Sequence, residues 1–519
     1  MAPEGQTGKS VVALGIVDAL TREVESVGVF RPIIKADEPD QILTALLRQP
    51  AVHQDYEESF GVTYADVRAD ADEALATIVR RYGEIANRYD AMVILGSDYR
   101  DVLGSGELTL NARIAANLNT PVAFAVSART RTVEETVSFT RSTLEQLKKN
   151  HAPVIAIVPT RVPAGEESAY AGAIRDAFPD VVVGVIPAHR VLAAPTLAAQ
   201  VKAVDGRLVA GREDMLSHES QTVIVGAMTL PNLLARLEPE ATVIMPGDRT
   251  EMIPGLLLAQ ASGAFPQLAG LILTGGYDVP DTMRTLITSV HHELPIVITE
   301  LGTYTTAERL FHLEGTMTSS DRKIELGRRL FSEHVDDNAL LDAMKVDRAE
   351  IRTPVMFEYQ LNEMARQDKR RIVLPESGDD RILEAASIVL RRGTADIILL
   401  GDPTDVKARA LASGYSLEGA EIVDMSTPEL VEQFSTEYAR LREKKGVTIE
   451  QAKEKMTDPS YFGTMMVHLG LADGMVSGAA NTTANTIRPS LELVKTRPGV
   501  SVVSSSFLMC MADRVDVYG

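Results

Sequence analysis

Short apolar runs alternate with amphipathic stretches along most of the chain, a pattern typical of an α/β protein. In the first 195 residues the strand-like runs lie at 26–30, 91–95, 122–126, 154–158 and 181–186. The clearest helical patterns between them lie at 71–89 and 132–150. Nearly continuous apolar strands separated by helices indicate a parallel sheet covered on both faces. A first α/β domain is therefore predicted over residues 1–200.

A smaller α/β unit is predicted over residues 205–315. Its strand-like runs lie at 222–226, 242–246, 270–273 and 295–299. Residues 316–353 are polar and helical, and Ser319, Ser320 and Asp321 provide a helix start there. We interpret this segment as a helical linker.

A third α/β pattern covers residues 354–519. Strands are predicted at 371–375, 396–400 and 473–477, and helices at 379–392, 427–444 and 448–470. Gly393 follows the first of these helices, where a glycine in the left-handed conformation commonly ends a helix. The predicted fold class is therefore a chain of three α/β domains, without internal repeats.

The composition is that of an acidic globular protein. The 519 residues include 52 Lys and Arg against 72 Asp and Glu, which gives a formal net charge of −20. This charge argues against general nucleic-acid binding and against an anionic membrane surface. Residues 351–519 sum to only about −4, so the C-terminal part is the better location for an anionic ligand.

The single cysteine, Cys510, allows no internal disulfide, which fits a reducing cytosol. No catalytic motif surrounds it, so we expect a buried small hydrophobic residue. Met1 leads directly into a Gly-rich polar segment, and no secretory signal is recognised. The longest uncharged stretch, 252–277, is interrupted by Pro and Gly and indicates helix, turn and strand instead of a membrane span. We therefore predict a cytoplasmic protein.

The run GQTGKS at residues 5–10 is similar to a phosphate loop. Such a loop needs a tight Gly-rich turn, a Lys for the β/γ phosphates and a Ser or Thr for Mg²⁺. Gly8, Lys9 and Ser10 fit the last positions, and Asp98, after the strand at 91–95, is the candidate acidic residue on the Mg²⁺ side. Proline replaces the first glycine of the full pattern and the preceding strand is missing. A degenerate scaffold or sensor is therefore favoured over an active NTPase.

Two more loops, GDRT at 247–250 and LTGG at 273–276, each follow a predicted strand. Ligands tend to bind at the carboxyl ends of strands in α/β sheets. Turn chemistry accounts for these glycines about as well as function does.

The strongest motif is VSGAANTTANTIRP at 476–489. A strand is predicted to end at Ser477, a loop of small and hydroxyl residues follows, and a helix is predicted to begin near Asn485. Pro489 is tolerated only in the first helical turn, which would place Arg488 beside free backbone N–H groups. That arrangement favours an oxyanion such as phosphate. A well-capped helix with a solvated arginine is the alternative, and the residues alone leave both open.

This motif, with DGM at 473–475 before it and KT at 495–496 after it, resembles the signature of the phosphate acetyltransferase (phosphotransacetylase) family. Other matching segments are IVLPE at 372–376, DR at 380–381, ADI at 395–397, LG at 400–401, KKGVT at 444–448 and YFG at 461–463. The front of the chain is similar to the long bacterial form, which begins with a dethiobiotin synthetase-like domain. A domain named for its Asp-Arg-Thr-Gly-Gly motif follows in that form. The matching segments there are residues 5–10, 29–32, 96–99, 111–113, 248–250 and 274–276.

The resemblance implies a P-loop domain similar to dethiobiotin synthetase, a middle regulatory domain, and in residues 354–519 part of a phosphate acetyl/butyryltransferase domain. It implies an acyltransferase that moves acetyl reversibly between acetyl-CoA and phosphate, giving acetyl phosphate and CoA in a ternary complex. CoA is then a substrate, and no permanently bound cofactor or metal is implied. The implied partners are these small molecules and further copies of the chain, since the family forms homo-oligomers.

On this resemblance Arg488 is the catalytic residue expected to hold phosphate. Substrate-binding groups are expected from the adjacent loop and helix start: Ser477, Gly478, Thr482, Thr483 and Thr486. The family usually has His where this chain has Asn481. Its catalytic domain also continues beyond a position like Gly519, so we expect a C-terminally truncated copy and assign no catalytic base.

Other interpretations remain open. A phosphate butyryltransferase has the same acyltransferase fold. A P-loop NTPase or ligase would place the chemistry in residues 1–200, and a non-catalytic subunit would use residues 1–315 for regulation or assembly. A malic enzyme would need a G-x-G-x-x-G motif after a strand, which we do not find.

Overall fold

A computed structural model describes residues 1–5, 7–36, 38–97, 106–289, 293–345, 352–500, 503–511 and 513–519. The chain divides into two compact units, Met1–Glu350 and Ile351–Gly519. Both are mixed α/β with parallel strands, which confirms the predicted α/β class. No helix in the described ranges is long and apolar enough to span a membrane.

The first 203 residues alternate strands and helices. The strands are β1 (Val27–Ile34), β2 (Phe60–Thr63), β3 (Ala91–Ile94), β4 (Val122–Ser127), β5 (Val154–Val162), β6 (Val182–Val183) and β7 (Ile186–Pro187). The helices are α1 (Lys9–Leu20), α2 (Gln41–Leu47), α3 (Tyr64–Ala69), α4 (Ala71–Ala86), α5 (Gly106–Asn117), α6 (Val133–Lys149), α7 (Glu167–Ala177), α8 (Arg190–Ala193) and α9 (Leu197–Ala203).

These strands form two parallel sheets in the described residues, where a single sheet was predicted. One has the order β2-β1-β3, and the other β4-β5-β6 with β7 also on β5. Ala123 and Ala125 of β4 bond to the backbone of Met1, and no pairing of β4 with β3 is described. β1 also runs past its predicted end, because Arg31 is buried and its guanidinium pairs with Asp40.

Residues 207–344 of this unit contain a third sheet and further helices. Its strands are β8 (Arg207–Ala210), β9 (Thr222–Val225), β10 (Ala241–Pro246), β11 (Gly270–Thr274) and β12 (Ile296–Ile298). Its helices are α10 (Leu230–Leu234), α11 (Met252–Ser262), α12 (Asp281–Ser289), α13 (Thr303–Phe311), α14 (Asp321–His334) and α15 (Asp337–Met344). The sheet order is β8-β12-β11-β10-β9, with β8 antiparallel at the edge.

Helix α14 begins where the sequence predicts. The Ser320 hydroxyl accepts a hydrogen bond from the N–H of Lys323, which caps the helix. The buried side of α14 packs on α1, where the Phe331 ring lies over Gly15 and Arg328 pairs with Asp18. The segment predicted as a linker is thus part of the core of the first unit.

The second unit is built on a parallel sheet of order β15-β14-β13-β16. Its strands are β13 (Arg370–Leu374), β14 (Ala395–Leu400), β15 (Glu421–Val423) and β16 (Gly474–Met475), and an antiparallel hairpin follows with β17 (Phe507–Cys510) and β18 (Val515–Tyr518). Its helices are α16 (Pro354–Gln367), α17 (Asp380–Arg392), α18 (Pro403–Ala412), α19 (Pro428–Leu441), α20 (Ile449–Lys455), α21 (Pro459–His468) and α22 (Thr483–Leu493).

Local predictions here were partly right. Helix α17 ends at Gly393, which has φ +66°, as predicted. The single helix predicted at 448–470 is two helices, because Asp458 caps α21 and Pro459 occupies its first position. Cys510 was expected to be buried and is exposed, since β17 exposes all of its residues.

Candidate functional site

The four parallel strands of the second unit end at one edge of their sheet. Pro375 and Glu376 follow β13, Gly401 and Asp402 follow β14, and the loop 476–482 follows β16. The carboxyl edge of an open parallel sheet is where ligands bind in α/β proteins. The candidate site therefore lies among these loops.

The loop after β16 is folded around the carboxylate of Glu376. One carboxylate oxygen accepts from the N–H groups of Gly478 and Ala479, both at 2.8 Å. The other accepts from Ala480 at 2.9 Å and Asn481 at 2.7 Å. Burial raises the pKa of Glu376, but these four donors lower it by more, so the pKa lies below its ordinary value.

Two predictions about this loop and helix were wrong. Helix α22 begins at Thr483, with Thr482 as its N-cap accepting from Asn485, and not near Asn485. Pro489 is therefore the seventh helical residue and lies in the helix interior. Arg488 is the sixth, more than one turn from the free N–H groups at the helix start. The Thr482 hydroxyl caps the helix, so the helix begins two residues before the predicted position.

A cavity of about 540 Å³ lies beside α22. It is lined by Arg442, Thr483, Ala484, Ile487, Arg488, Leu491 and Glu492. Arg488 is exposed and has no hydrogen bond or ion pair to a described residue. Arg442 comes from the end of α19, and its terminal nitrogen lies 3.6 Å from a carboxylate oxygen of Glu492. The buried Nε of Arg442 has no acceptor among the described residues.

Glu492 connects this cavity to two buried tyrosines. Its second carboxylate oxygen accepts from the hydroxyls of Tyr438 and Tyr461, each at 3.2 Å. Burial, followed by the charge of Glu492, raises the pKa of Tyr461 to about 12, against a smaller opposing effect of Arg488. The pKa of Tyr438 is also raised, by burial first and then by Glu492. Both phenols stay neutral donors at physiological pH.

The structure brings together only some of the predicted site residues. Thr483 lines the same cavity as Arg488. The hydroxyls of Ser477 and Thr486 lie 3.5 Å apart. Thr482 is occupied as the helix cap, and Gly478, at φ +120°, gives its N–H to Glu376.

Three residues of the site were not predicted from the sequence: Glu376, Arg442 and Glu492. Glu376 lies in the segment 372–376 and Arg442 lies two residues before the segment 444–448, both of which carry the family resemblance. That proximity is the one signal that could have drawn attention to them. Nothing in the sequence pattern marks Glu492.

A larger cavity of about 950 Å³ lies at the ends of β13, β14 and β15. Its charged lining residues are mostly acidic: Glu376, Asp379, Asp380, Asp402 and Asp424, against Arg409 and Lys453. An anionic ligand is disfavoured there. Ala480 and Asn481 line this cavity, whereas Thr483 and Ala484 line the smaller one, so one short segment contributes to both.

The phosphate-loop residues lie at the start of α1. Gly8 has φ +77° and precedes the first helical residue, Lys9. The buried amine of Lys9 donates to the carbonyls of Gly96 and Ser97. Ser10 is partly exposed in the first turn. Asp98, the predicted acidic partner, lies outside the described residues.

The GDRT and TGG loops follow the neighbouring strands β10 and β11, as predicted. The guanidinium of Arg249 donates to the carbonyls of Ala227 at 3.2 Å and Met228 at 3.0 Å, after β9. Gly275 and Gly276 have φ +90° and +71°. These contacts hold the loops at one edge of the sheet. In both units, the described residues contain no group of three or more His, Cys, Asp or Glu placed to hold a metal ion.

Comparison with known proteins finds three family models in consecutive parts of the chain. Residues 1–196 match an AAA domain, 200–313 a DRTGG domain and 356–519 a "Phosphate acetyl/butaryl transferase" domain. A phosphate acetyltransferase of Nitratidesulfovibrio vulgaris is 37% identical over all of this chain and 76% of its own length. One of Synechocystis is 33% identical over 99% of this chain and 76% of its own length.

A solved phosphotransacetylase structure from Streptococcus pyogenes also matches, with 34% identity and a TM-score of 0.29. The match covers 30% of this chain and 48% of that chain. The chain thus spans about three quarters of the two curated relatives and about half of this solved structure.

Proposed function

The chain belongs to the phosphate acetyltransferase family, and on that premise we propose that it moves an acetyl group reversibly between acetyl-CoA and inorganic phosphate. In the forward direction a phosphate oxygen attacks the thioester carbonyl. The new C–O bond gives acetyl phosphate, the C–S bond breaks, and the sulfur leaves as CoA after taking a proton. A site for this reaction must hold a phosphate dianion close to a carbonyl that becomes an oxyanion.

The observation that carries the proposal is the pair of guanidinium groups in the smaller cavity. Arg442 and Arg488 come from different helices and line the same 540 Å³ space, which suits a phosphate group. Arg488 has no competing partner among the described residues, and the Nε–H of Arg442 lacks an acceptor. Buried donors without acceptors are uncommon in folded proteins, so a bound oxyanion there would satisfy this group.

We propose that Arg488 is the catalytic residue, since it holds the reacting phosphate. Thr483 lines the cavity beside it and is proposed to bind phosphate or the acetyl oxygen. Ser477 in the loop and Thr486 on α22 form a hydroxyl pair and are proposed to contact the substrate. Thr482 and Gly478 support the site through the helix cap and the loop.

The test is a coupled assay in which acetyl-CoA and phosphate release a free thiol. Arg488→Ala and Arg442→Ala should each lower kcat/KM by the equivalent of about 2–4 kcal/mol, the range for losing a charge-assisted donor to a reacting group. Arg391→Ala is the matched control, because this exposed arginine on α17 lies outside both cavities. An unchanged kcat/KM in both cavity variants would contradict the assignment of this cavity as the phosphate site.

Acyl-chain length separates the two activities that the matching family model includes. The same assay with butyryl-CoA should give a lower kcat/KM than acetyl-CoA if acetyl is the natural group. A preference for butyryl would assign the chain to the butyryltransferase branch instead.

For the phosphate loop we propose a scaffold or sensor role. The Lys9 amine is buried and bonded to two carbonyls, which supports a structural role for that amine. Hydrolysis of ATP by the purified protein would contradict this. We further propose a cytoplasmic homo-oligomer, supported by the absence of an internal disulfide and by the exposed apolar residues Phe507, Leu508 and Met509 of β17.

A further inference from the structure

The loop predicted to bind an anion already holds one, and that anion belongs to the protein. We infer that Glu376 is a positioning residue for the transfer reaction. Its carboxylate is a built-in anion that shapes the loop 478–481 and thereby sets the start of α22, the helix that presents Thr483 and Arg488. The inference rests on the proposed function of the smaller cavity.

The geometry of the loop depends on that negative charge. Four consecutive N–H groups point at two oxygens, and Gly478 adopts φ +120° to allow it. Parallel N–H dipoles this close together repel one another unless an anion lies between them. A neutral side chain of the same size offers at most one carbonyl oxygen, so it can satisfy only half of the donors.

The backbone that carries this carboxylate is anchored by the sheet. Glu376 is buried and follows β13 through Pro375. The neighbouring Ser377 is also buried, and its hydroxyl donates to the carbonyl of Leu400 at the end of β14. The end of the sheet therefore anchors the backbone of Glu376, and the loop closes over its carboxylate.

The helix start follows directly from this loop. Asn481 gives the last of the four N–H bonds, Thr482 is the helix cap, and Thr483 is the first helical residue. No residue lies between the clamped loop and the cap. A shift of the loop would therefore move Thr483 and change the direction in which Arg488 enters the cavity.

Two substitutions of Glu376 should respond differently to added formate, which a general loss of stability would not explain. In Glu376→Ala the four N–H groups face an empty space that a small carboxylate can enter, as anions do at clusters of backbone N–H groups. Added formate should then restore the loop. In Glu376→Gln the side-chain amide still fills that space, so formate should have little effect.

The experiment measures kcat and the KM for phosphate in the full-length protein. Both variants are expected to raise the KM for phosphate about tenfold or more, the scale of losing one charge-assisted hydrogen bond. Formate should recover most of that change in Glu376→Ala only. Glu421→Gln is the matched control, because Glu421 is exposed on β15 of the same sheet and should behave as the wild type.

An unaltered KM for phosphate in both variants, or a loss that formate does not relieve in Glu376→Ala, would overturn the inference. Hydrogen exchange of the wild-type amides 478–481 provides a second measurement that needs neither a variant nor activity. These four amides should be protected at neutral pH and lose protection only as the pH falls below the ordinary range of a glutamate. Fast hydrogen exchange of these wild-type amides at neutral pH would also overturn the inference. This measurement can be made even if the alanine variant fails to fold.

The two proposals fail in different ways. If the wild-type protein does not transfer acetyl but its amides 478–481 are protected, the proposed function is wrong. The contact between Glu376 and the loop is then a structural feature only. If the wild-type protein is active but its Glu376 variants keep the wild-type KM for phosphate, the inference about Glu376 is wrong and the proposed function stands.

Discussion

Glu492 is the residue that balances charge in the smaller cavity. One of its oxygens lies near Arg442 and the other accepts from two tyrosine hydroxyls. A carboxylate in a cavity lined by two guanidinium groups lowers the net positive charge of that cavity before a substrate enters. It also lies 3.6 Å from a terminal nitrogen of Arg442, whereas Arg488 has no hydrogen bond or ion pair to a described residue.

Replacing Glu492 should lower the pKa of Tyr461 measurably. In Glu492→Gln the negative charge is lost while burial stays, so the pKa should fall from about 12 and remain above the ordinary value of about 10. Ultraviolet titration of the phenols in wild type and variant measures this. Tyr461→Phe identifies which transition belongs to this residue, and coinciding titration curves for wild type and Glu492→Gln would contradict the role given to Glu492.

At this scale the sequence predicted the residues that local motifs mark. Arg488 and Thr483 lie in one hydroxyl-rich run, and they do meet at one cavity. Glu376 lies 102 residues before Gly478, and no local pattern records which distant side chain fills a loop. The prediction of free N–H groups beside Arg488 was wrong, because the position of those groups depends on which residue caps the helix.

Helix α14 shows how an element can be located correctly and interpreted incompletely. Its polarity indicated a connector, yet Leu326, Leu330 and Phe331 are buried against the helix that follows the phosphate loop. The approach is close because α1 has a glycine there: a Cβ at Gly15 would lie 2.0 Å from the Phe331 ring. Two ion pairs, from Arg328 to Asp18 and from Arg22 to Asp337, flank the contact.

Gly15→Ala should therefore destabilise the first unit although alanine favours helices. The added methyl group must displace an aromatic ring in a packed core, which costs about 1–3 kcal/mol. Gly172→Ala on α7 is the matched control, because no atom outside the adjacent backbone of its own helix lies within 4 Å of its Cβ position, and it should stabilise by up to about 1 kcal/mol. Chemical denaturation curves compare the three proteins, and equal midpoints for the two variants would contradict the close contact.

Helix ends followed the sequence where a single residue decides them. Gly393 ends α17, and Ser320 begins α14, as expected. The break between α20 and α21 was missed because the apolar pattern continues across Asp458 and Pro459, which begin a new helix instead of extending the old one. Pro489 misled the prediction of α22, because an interior proline removes one backbone bond but does not forbid a helix that is otherwise capped and packed.

At the scale of the whole first unit, residues from the three predicted segments 1–200, 205–315 and 316–353 lie around one buried lysine. The amine of Lys323 on α14 donates to the carbonyls of Ala194, before α9, and Thr316, after α13. Glu219 lies nearby and is bonded to Ser320 and Arg322. Burial lowers the pKa of Lys323 to about 8, against the attraction of Glu219.

This lysine should make the stability of the unit depend on pH in alkaline solution. Its pKa in the folded state, about 8, lies below the ordinary value of 10.5. Between these values the unfolded chain binds more protons than the folded one, so folding stability gains with rising pH from about 8 to 10.5. Denaturation at several pH values should show this gain in wild type and its loss in Lys323→Met.

Lys202→Met is the control for that experiment, because Lys202 is exposed on α9. It should keep the pH dependence of the wild type. A stability difference between wild type and Lys323→Met that does not change with pH would contradict a proton loss at Lys323.

The contacts between Glu376 and its loop have a consequence for sequence variation. All four donors are backbone groups, so the side chains at 479, 480 and 481 do not take part in them. Asn481, where the family usually has His, can therefore differ without altering the fold of the loop. Substitution should be tolerated along this stretch, while Gly478, held at φ +120°, and the distant acidic residue that fills the loop stay restricted.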